Sequence, residues 1–260
     1  MRIRITAVIA IQVLSLGVTS AVFAMKPEDN RATREQGKIV YQRSCMLCHG
    51  VDGKGDGPVG WFLGRYSAPH PRNFTSENYK LRSTASGEMP TDQDLFRTVT
   101  QGIPGYMPSF NGLSEEERWA VIAYVKSFNP IFKEEPPTPL VIPEPPFPSS
   151  EASIENGRRL YQKYSCHSCH GDNGYGDGPE SIKGNLKDLR GLPISAGNLS
   201  DRASLKNGSA PRDIYRSLMT GLDGTPMPSF ADSLAGKEQE AWDLVYYILS
   251  LSSERGFLRW

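Results

Sequence analysis

All four cysteines and three of the four histidines of this 260-residue chain fall into one short pattern written twice. The copies are Ser44-Cys45-Met46-Leu47-Cys48-His49-Gly50 and Ser165-Cys166-His167-Ser168-Cys169-His170-Gly171. Cys-x-x-Cys-His is the attachment signature of a c-type haem. Two thiols three residues apart on a helical turn can each form a thioether to one edge of a porphyrin, and the adjacent imidazole then lies under the iron. The two cysteine pairs lie 121 residues apart, whereas the knuckles of a zinc ribbon are separated by about 15 to 20. Two disulfides, or two thioredoxin-like redox motifs, would leave the histidines unexplained.

A haem that moves electrons needs a second axial ligand on its other face. Met107 follows His49 by 58 residues and Met227 follows His170 by 57, each inside the tetrapeptide Met-Pro-Ser-Phe. A thioether ligand favours the ferrous state and raises the reduction potential. The iron ligands expected are therefore His49 with Met107 and His170 with Met227, in two covalently bound haem c groups. Met46, Met89 and Met219 read as packing residues, His70 as an exposed loop residue and His167 as surface. Arg72 and Arg82 are candidates for pairing with the propionates of the first haem, and Arg202 and Arg212 with those of the second. With no cysteine left over and both Met-Pro motifs intact, neither iron is left open to substrate. The reading is electron transfer, with no catalytic residue, over a dihaem peroxidase or a sulfur-compound oxidase.

The elements that position these groups repeat as well. A helix over about 31–43 carries Gly37 and Tyr41 on one face. The motif is followed by a loop with four glycines in eight residues, Gly50 to Gly57, and residues 61–89 show no sustained period. Thr91 reads as the N-cap of a short helix ending before Gly102, and Ser114 with Glu117 as the capping box of a helix running to Phe128. Gly157, Tyr161, the loop Gly174 to Pro179, the second Met-Pro-Ser-Phe and a last helix over 237–250 answer these at a constant offset of 120 to 123 residues. Between the copies, eight prolines fall within residues 130–148, a composition that opposes helix and strand and suits a spacer or a strap laid along a surface.

The chain carries 29 basic and 29 acidic side chains, which gives no case for nucleic-acid binding. Residues 1–24 read as an export signal: Arg2 and Arg4, then the apolar run Thr6 to Leu16, then Val22-Phe23-Ala24 as the cleavage site. Retained uncleaved, the same segment has about the 20 residues of a membrane anchor. The expected layout is a signal over 1–24, a first domain over 25–128, a linker over 129–152 and a second domain over 153–260.

Gly-x-x-x-Tyr before Cys-x-x-Cys-His, then Gly-Asp-Gly-Pro, then Met-Pro before an aromatic-bearing last helix, resembles the class I c-type cytochromes. The tandem arrangement is similar to cytochrome c4-like dihaem proteins and to dihaem electron-transfer subunits of periplasmic enzymes. The resemblance covers about 31–128 and 153–251. It implies an all-α fold of two haem-wrapping domains joined by the Pro-rich linker, in a periplasmic protein whose partners are a redox donor and acceptor or a larger oxidoreductase complex. It also implies that Gly37 and Tyr41 cross Trp119 to Tyr124, that Gly157 and Tyr161 cross Trp242 to Tyr247, and that the Pro58 and Pro179 carbonyls accept the Nδ1 proton of the axial histidines. The linker is longer than a compact tandem requires.

Overall fold

The computed structural model describes residues 26–63, 69–76, 79–134 and 136–253; the expected signal segment lies outside them. No strand occurs among the described residues, and the helices fall into two groups of five. The first group is α1 (Arg31–Ser44), α2 (Met46–His49), α3 (Pro58–Leu63), α4 (Asp92–Gln101) and α5 (Glu115–Lys126). The second is α6 (Glu151–Lys163), α7 (Cys166–His170), α8 (Pro179–Ile182), α9 (Pro211–Thr220) and α10 (Glu238–Ser253). Helix α3 takes up the start of the stretch read as aperiodic: Pro58 stands at its first turn, where a missing N–H costs nothing. Among the described residues no helix is long and apolar enough to cross a membrane.

The helix starts follow from local chemistry. The Asn30 side chain accepts from Thr33 N to open α1, Thr91 and Asp94 close a capping box on α4, and Ser114 and Glu117 close one on α5. Each domain is then built on one crossing, α1 with α5 and α6 with α10. Glycine is required at both crossings, because a Cβ on Gly37 would collide with the Ala120 carbonyl and one on Gly157 with the Asp243 carbonyl. The absent side chain lets Tyr41 reach Tyr124, with ring centroids 5.3 Å apart, and Tyr161 reach Tyr247, at 5.2 Å.

The Pro-rich segment is laid down as a strap. It opens with a 3-10 turn, Pro130–Lys133, against the expectation of no helix; Pro130 sits at the first position of the turn and Asn129 caps it. Its middle is tied to the first domain by Leu140 N donating to Ser83 O at 2.7 Å. Further on it binds the second domain, Arg212 donating to Ile142 O at 2.9 Å and the Tyr246 hydroxyl to Phe147 O at 2.6 Å.

The domains also touch directly. Arg82, wholly buried, donates to Ala85 O and Tyr79 O in its own domain and to Thr220 O across the boundary, and its guanidinium lies 2.8 Å from Asp223. The same carboxylate accepts from the Ser86 hydroxyl at 2.7 Å and from Gly87 N at 2.8 Å. A buried guanidinium shared between carbonyls of both domains and a carboxylate of the second fixes one relative placement of the two domains.

Candidate haem sites

Each Cys-x-x-Cys-His is wound as one tight helical turn, α2 and α7, directly after the first helix of its domain. The histidine N–H closes the turn in the first copy, donating to Cys45 O at 2.9 Å. The chain then reverses: Gly55 N donates to His49 O at 2.9 Å and Gly176 N to His170 O at 2.8 Å. The buried Tyr41 hydroxyl holds Gly50 O at 2.7 Å and the Tyr161 hydroxyl holds Gly171 O at 2.8 Å. Burial pushes both phenols well above their usual range, so they stay protonated donors. Gly50 and Gly171 are needed here, since both have positive φ and a Cβ on either would collide with the following Asp56 or Asp177 carboxylate.

The imidazoles are aimed by their second nitrogen. His49 Nδ1 lies 3.1 Å from Arg72 O and His170 Nδ1 2.8 Å from Gly197 O. This corrects the assignment of that role to Pro58 and Pro179. Both prolines begin short helices, and the Pro179 carbonyl accepts from Lys183 N within its own helix. The signal for the true acceptors lies one residue further on. Asn73-Phe74-Thr75 and Asn198-Leu199-Ser200 form matching turns, in which the Asn side chain accepts from the backbone N–H two residues later. The next backbone N–H in each closes onto the glycine loop, Phe74 N onto Gly53 O and Leu199 N onto Gly174 O. With Nδ1 engaged, Nε2 of each histidine is left without a hydrogen bond among the described residues. Burial also holds both imidazoles below the usual histidine range, which keeps them in the neutral, ligating form.

The methionine loops are fixed by their neighbours. The Ser109 hydroxyl donates to Thr100 O and the Ser229 hydroxyl to Met219 O, each at 2.6 Å. Phe110 N donates to Val99 O at 3.1 Å and Phe230 N to Leu218 O at 2.9 Å. Ser and Phe of the tetrapeptide thus clip the loop to the open carbonyls at the end of α4 or α9. Met107 and Met227 are both partly buried, and Met227 packs against the second core. Met89 is buried and lies under the strap.

The four cysteines are unpaired and partly buried. Burial pushes the Cys45 and Cys166 thiols up to about 11, the opposite of the lowered value a thiol-disulfide redox motif uses. Two unpaired thiols, an imidazole with one nitrogen unengaged and a thioether on a clipped loop are the set of groups that a c-type haem takes.

Three of the four arginines have other surroundings than those expected. Arg82 is spent at the domain boundary, Arg202 donates to Ser209 O in its own loop, and Arg212 pairs with Glu144 of the strap. Arg72 is partly buried and lines a cavity between the domains. His70 lines the same cavity with both ring nitrogens buried, in contrast to the exposed position its loop suggested. In His167, too, Nδ1 is buried.

Comparison with known proteins follows the same division. Residues 32–125 match the family described as cytochrome c oxidase, cbb3-type, subunit III, and residues 154–252 match the family described as cytochrome c. No curated protein matches the chain. A solved chain of the reducing HAO-like protein complex of Kuenenia stuttgartiensis is 40% identical, with a TM-score of 0.76; the match covers 84% of the present chain and 96% of that one. By its two cytochrome c domains, its helical fold and this likeness, the chain belongs to the tandem dihaem class I c-type cytochromes, proteins of electron transfer.

Proposed function

We propose that this protein is an exported, periplasmic dihaem electron-transfer subunit of a larger oxidoreductase complex. Each domain would hold one haem c, by thioether bonds from Cys45 and Cys48 or from Cys166 and Cys169, with His49 and Met107 or His170 and Met227 on the iron. Bound there, haem supplies a one-electron couple. The carbonyls of Arg72 and Gly197 orient the imidazoles and strengthen their donation, and the clipped Met-Pro-Ser-Phe loops present the thioethers. The observation that carries this reading is the duplication of that whole positioning apparatus, hydrogen bond for hydrogen bond, around both Cys-x-x-Cys-His turns. Two equally closed sites suit transfer; catalysis would call for one altered site.

A freely diffusing carrier is the second reading. The subunit reading is preferred because the chain resembles, over nearly its full length, a member of a HAO-like complex. Export rests on the basic, apolar and small-residue pattern of residues 1–24. The haem sites are tested by counting haems per chain and by the near-infrared iron–thioether band. Met107→Ala and Met227→Ala should each remove half of that band and lower one reduction potential, and a variant that keeps the full band refutes its ligand. Purification from the native source, with this chain running alone at its own mass, would refute the subunit reading.

A further inference from the structure

Where the first domain's Arg72 loop meets the second domain's turn at residues 188–191, the structure forms a half-open cavity of about 190 Å³. Three cations line it: Arg72 and Lys80 from the first domain and Arg190 from the second. Among the described residues none of the three has a salt bridge or a side-chain hydrogen bond. Burial, with Arg72 beside it, pushes the Lys80 ammonium down to about 8. His70 adds a ring whose nitrogens are both buried and, among the described residues, without a hydrogen bond. Among the described residues one carboxylate lines the wall, Asp188; its Oδ1 accepts from Arg190 N at 2.8 Å and Leu192 N at 3.0 Å, and its charge acts on Arg72 and Lys80. Three cations converging from two domains around one wall carboxylate leave the cavity with a positive excess, which favours an anionic occupant.

We propose that this cavity is an anion site built across the domain boundary, which takes a carboxylate or a small oxyanion and is completed by Arg190 of the second domain. The source of the anionic oxygen is either a propionate of the first haem or a free ion. The first source rests on the haem reading above, and the cavity lies beside that haem's histidine because its wall residue Arg72 holds His49 Nδ1. A guanidinium offers a planar donor pair suited to either ligand.

The experiment uses the holoprotein, after haem content and the iron–thioether band have shown both sites filled, so that failure of the haem reading is seen first. Wild type, Arg190→Gln and Lys80→Gln are titrated calorimetrically with inorganic phosphate, and the propionate bending bands are compared by resonance Raman spectroscopy. Binding of one phosphate per chain, weakened at least tenfold in both variants, identifies a free-anion site. A phosphate-blind wild type in which both variants shift one propionate band, with haem content unchanged, identifies the propionate. Arg190 is exposed, so its variant should fold normally. If wild type ignores phosphate and neither variant moves a propionate band, the cavity is no anion site.

Discussion

The two domains share a hydrogen-bonded frame around the haem motif but differ in what fills them. Among the described residues, a buried cluster of the first domain is Val40, Tyr41, Val121 and Val125, with Phe74, Tyr124 and Phe128 packed against it; Trp119, Ala120, Ile122 and Ala123 of α5 are buried as well. The cluster of the second takes in Leu160 and Tyr161 of α6, Ile214, Tyr215 and Leu218 of α9, and Trp242, Val245 and Ile248 of α10, and it recruits Ile142 and Phe147 from the strap. Helix α10 has 16 residues where α5 has 12. His49 stacks on Phe74 with ring centroids 4.4 Å apart, while the residue in Phe74's place is Leu199, packed into the second core. Duplication kept the backbone clips that aim the ligands and let the cores diverge. The first domain therefore leans harder on its haem and on its neighbour.

The largest test of that asymmetry removes haem attachment from one domain at a time. A domain near 100 residues with a small core is marginal without its ligand. Cys45→Ser/Cys48→Ser should leave the first domain unable to fold cooperatively, while Cys166→Ser/Cys169→Ser should leave a second domain that still melts, at lower temperature. Calorimetry of the two variants decides it; equal losses would show that the larger core supplies no independence.

Next in size is the boundary. Arg82→Met leaves Asp223 without its buried partner and should cost about 3 to 5 kcal/mol. It should also split one unfolding transition into two, since that guanidinium alone reaches Thr220 O across the interface. Retention of a single transition would mean that the strap and the remaining bonds from Ser86 and Gly87 to Asp223 suffice to couple the domains. Gly37→Ala and Gly157→Ala come next. An exposed helical Gly→Ala gains about 1 kcal/mol, but here the methyl meets partner backbone that cannot swing aside. A loss of about 3 kcal/mol is expected from such overpacking, read as a fall in midpoint by denaturant titration, and confined to the substituted domain.

What the chain disclosed before folding depended on whether the information was local. Thiols, histidine and the Met-Pro-Ser-Phe loop announce themselves because their side chains do the chemistry at fixed spacing. The helix starts were legible at Thr91 and Ser114 because capping is read over four residues. The histidine's acceptor was not, because it is a backbone carbonyl that any residue supplies; arginine does so in one domain and glycine in the other. The role of Arg82 was hidden for a different reason. Its partners Thr220 and Asp223 lie 138 and 141 residues away, and nothing in a solitary arginine distinguishes a propionate partner from a domain bolt. The strap's path was equally non-local, set by Ser83, Arg212 and Tyr246 where the linker's own composition left spacer and strap open.

The smallest effect is the sharpest probe of the shared frame. Ser109→Ala and Ser229→Ala each delete one clip between a methionine loop and the end of its helix, a neutral hydrogen bond worth about 1 kcal/mol. Ser109 is exposed and Ser229 half-buried, so water can replace the lost donor for Thr100 O more readily than for Met219 O. Global stability should therefore fall less in Ser109→Ala than in Ser229→Ala. The iron–thioether band should respond in the opposite order: Met227 is braced by the core beneath it, whereas Met107 is absent from its domain's buried cluster and depends on the clips. Broadening or partial loss of the band in Ser109→Ala, with a sharp band in Ser229→Ala, would show that backbone clips hold the ligand in one domain and packing holds it in the other. The reverse pattern would place the methionine's support in the loop alone, identical in both, and the difference between the cores would then have no bearing on the sites.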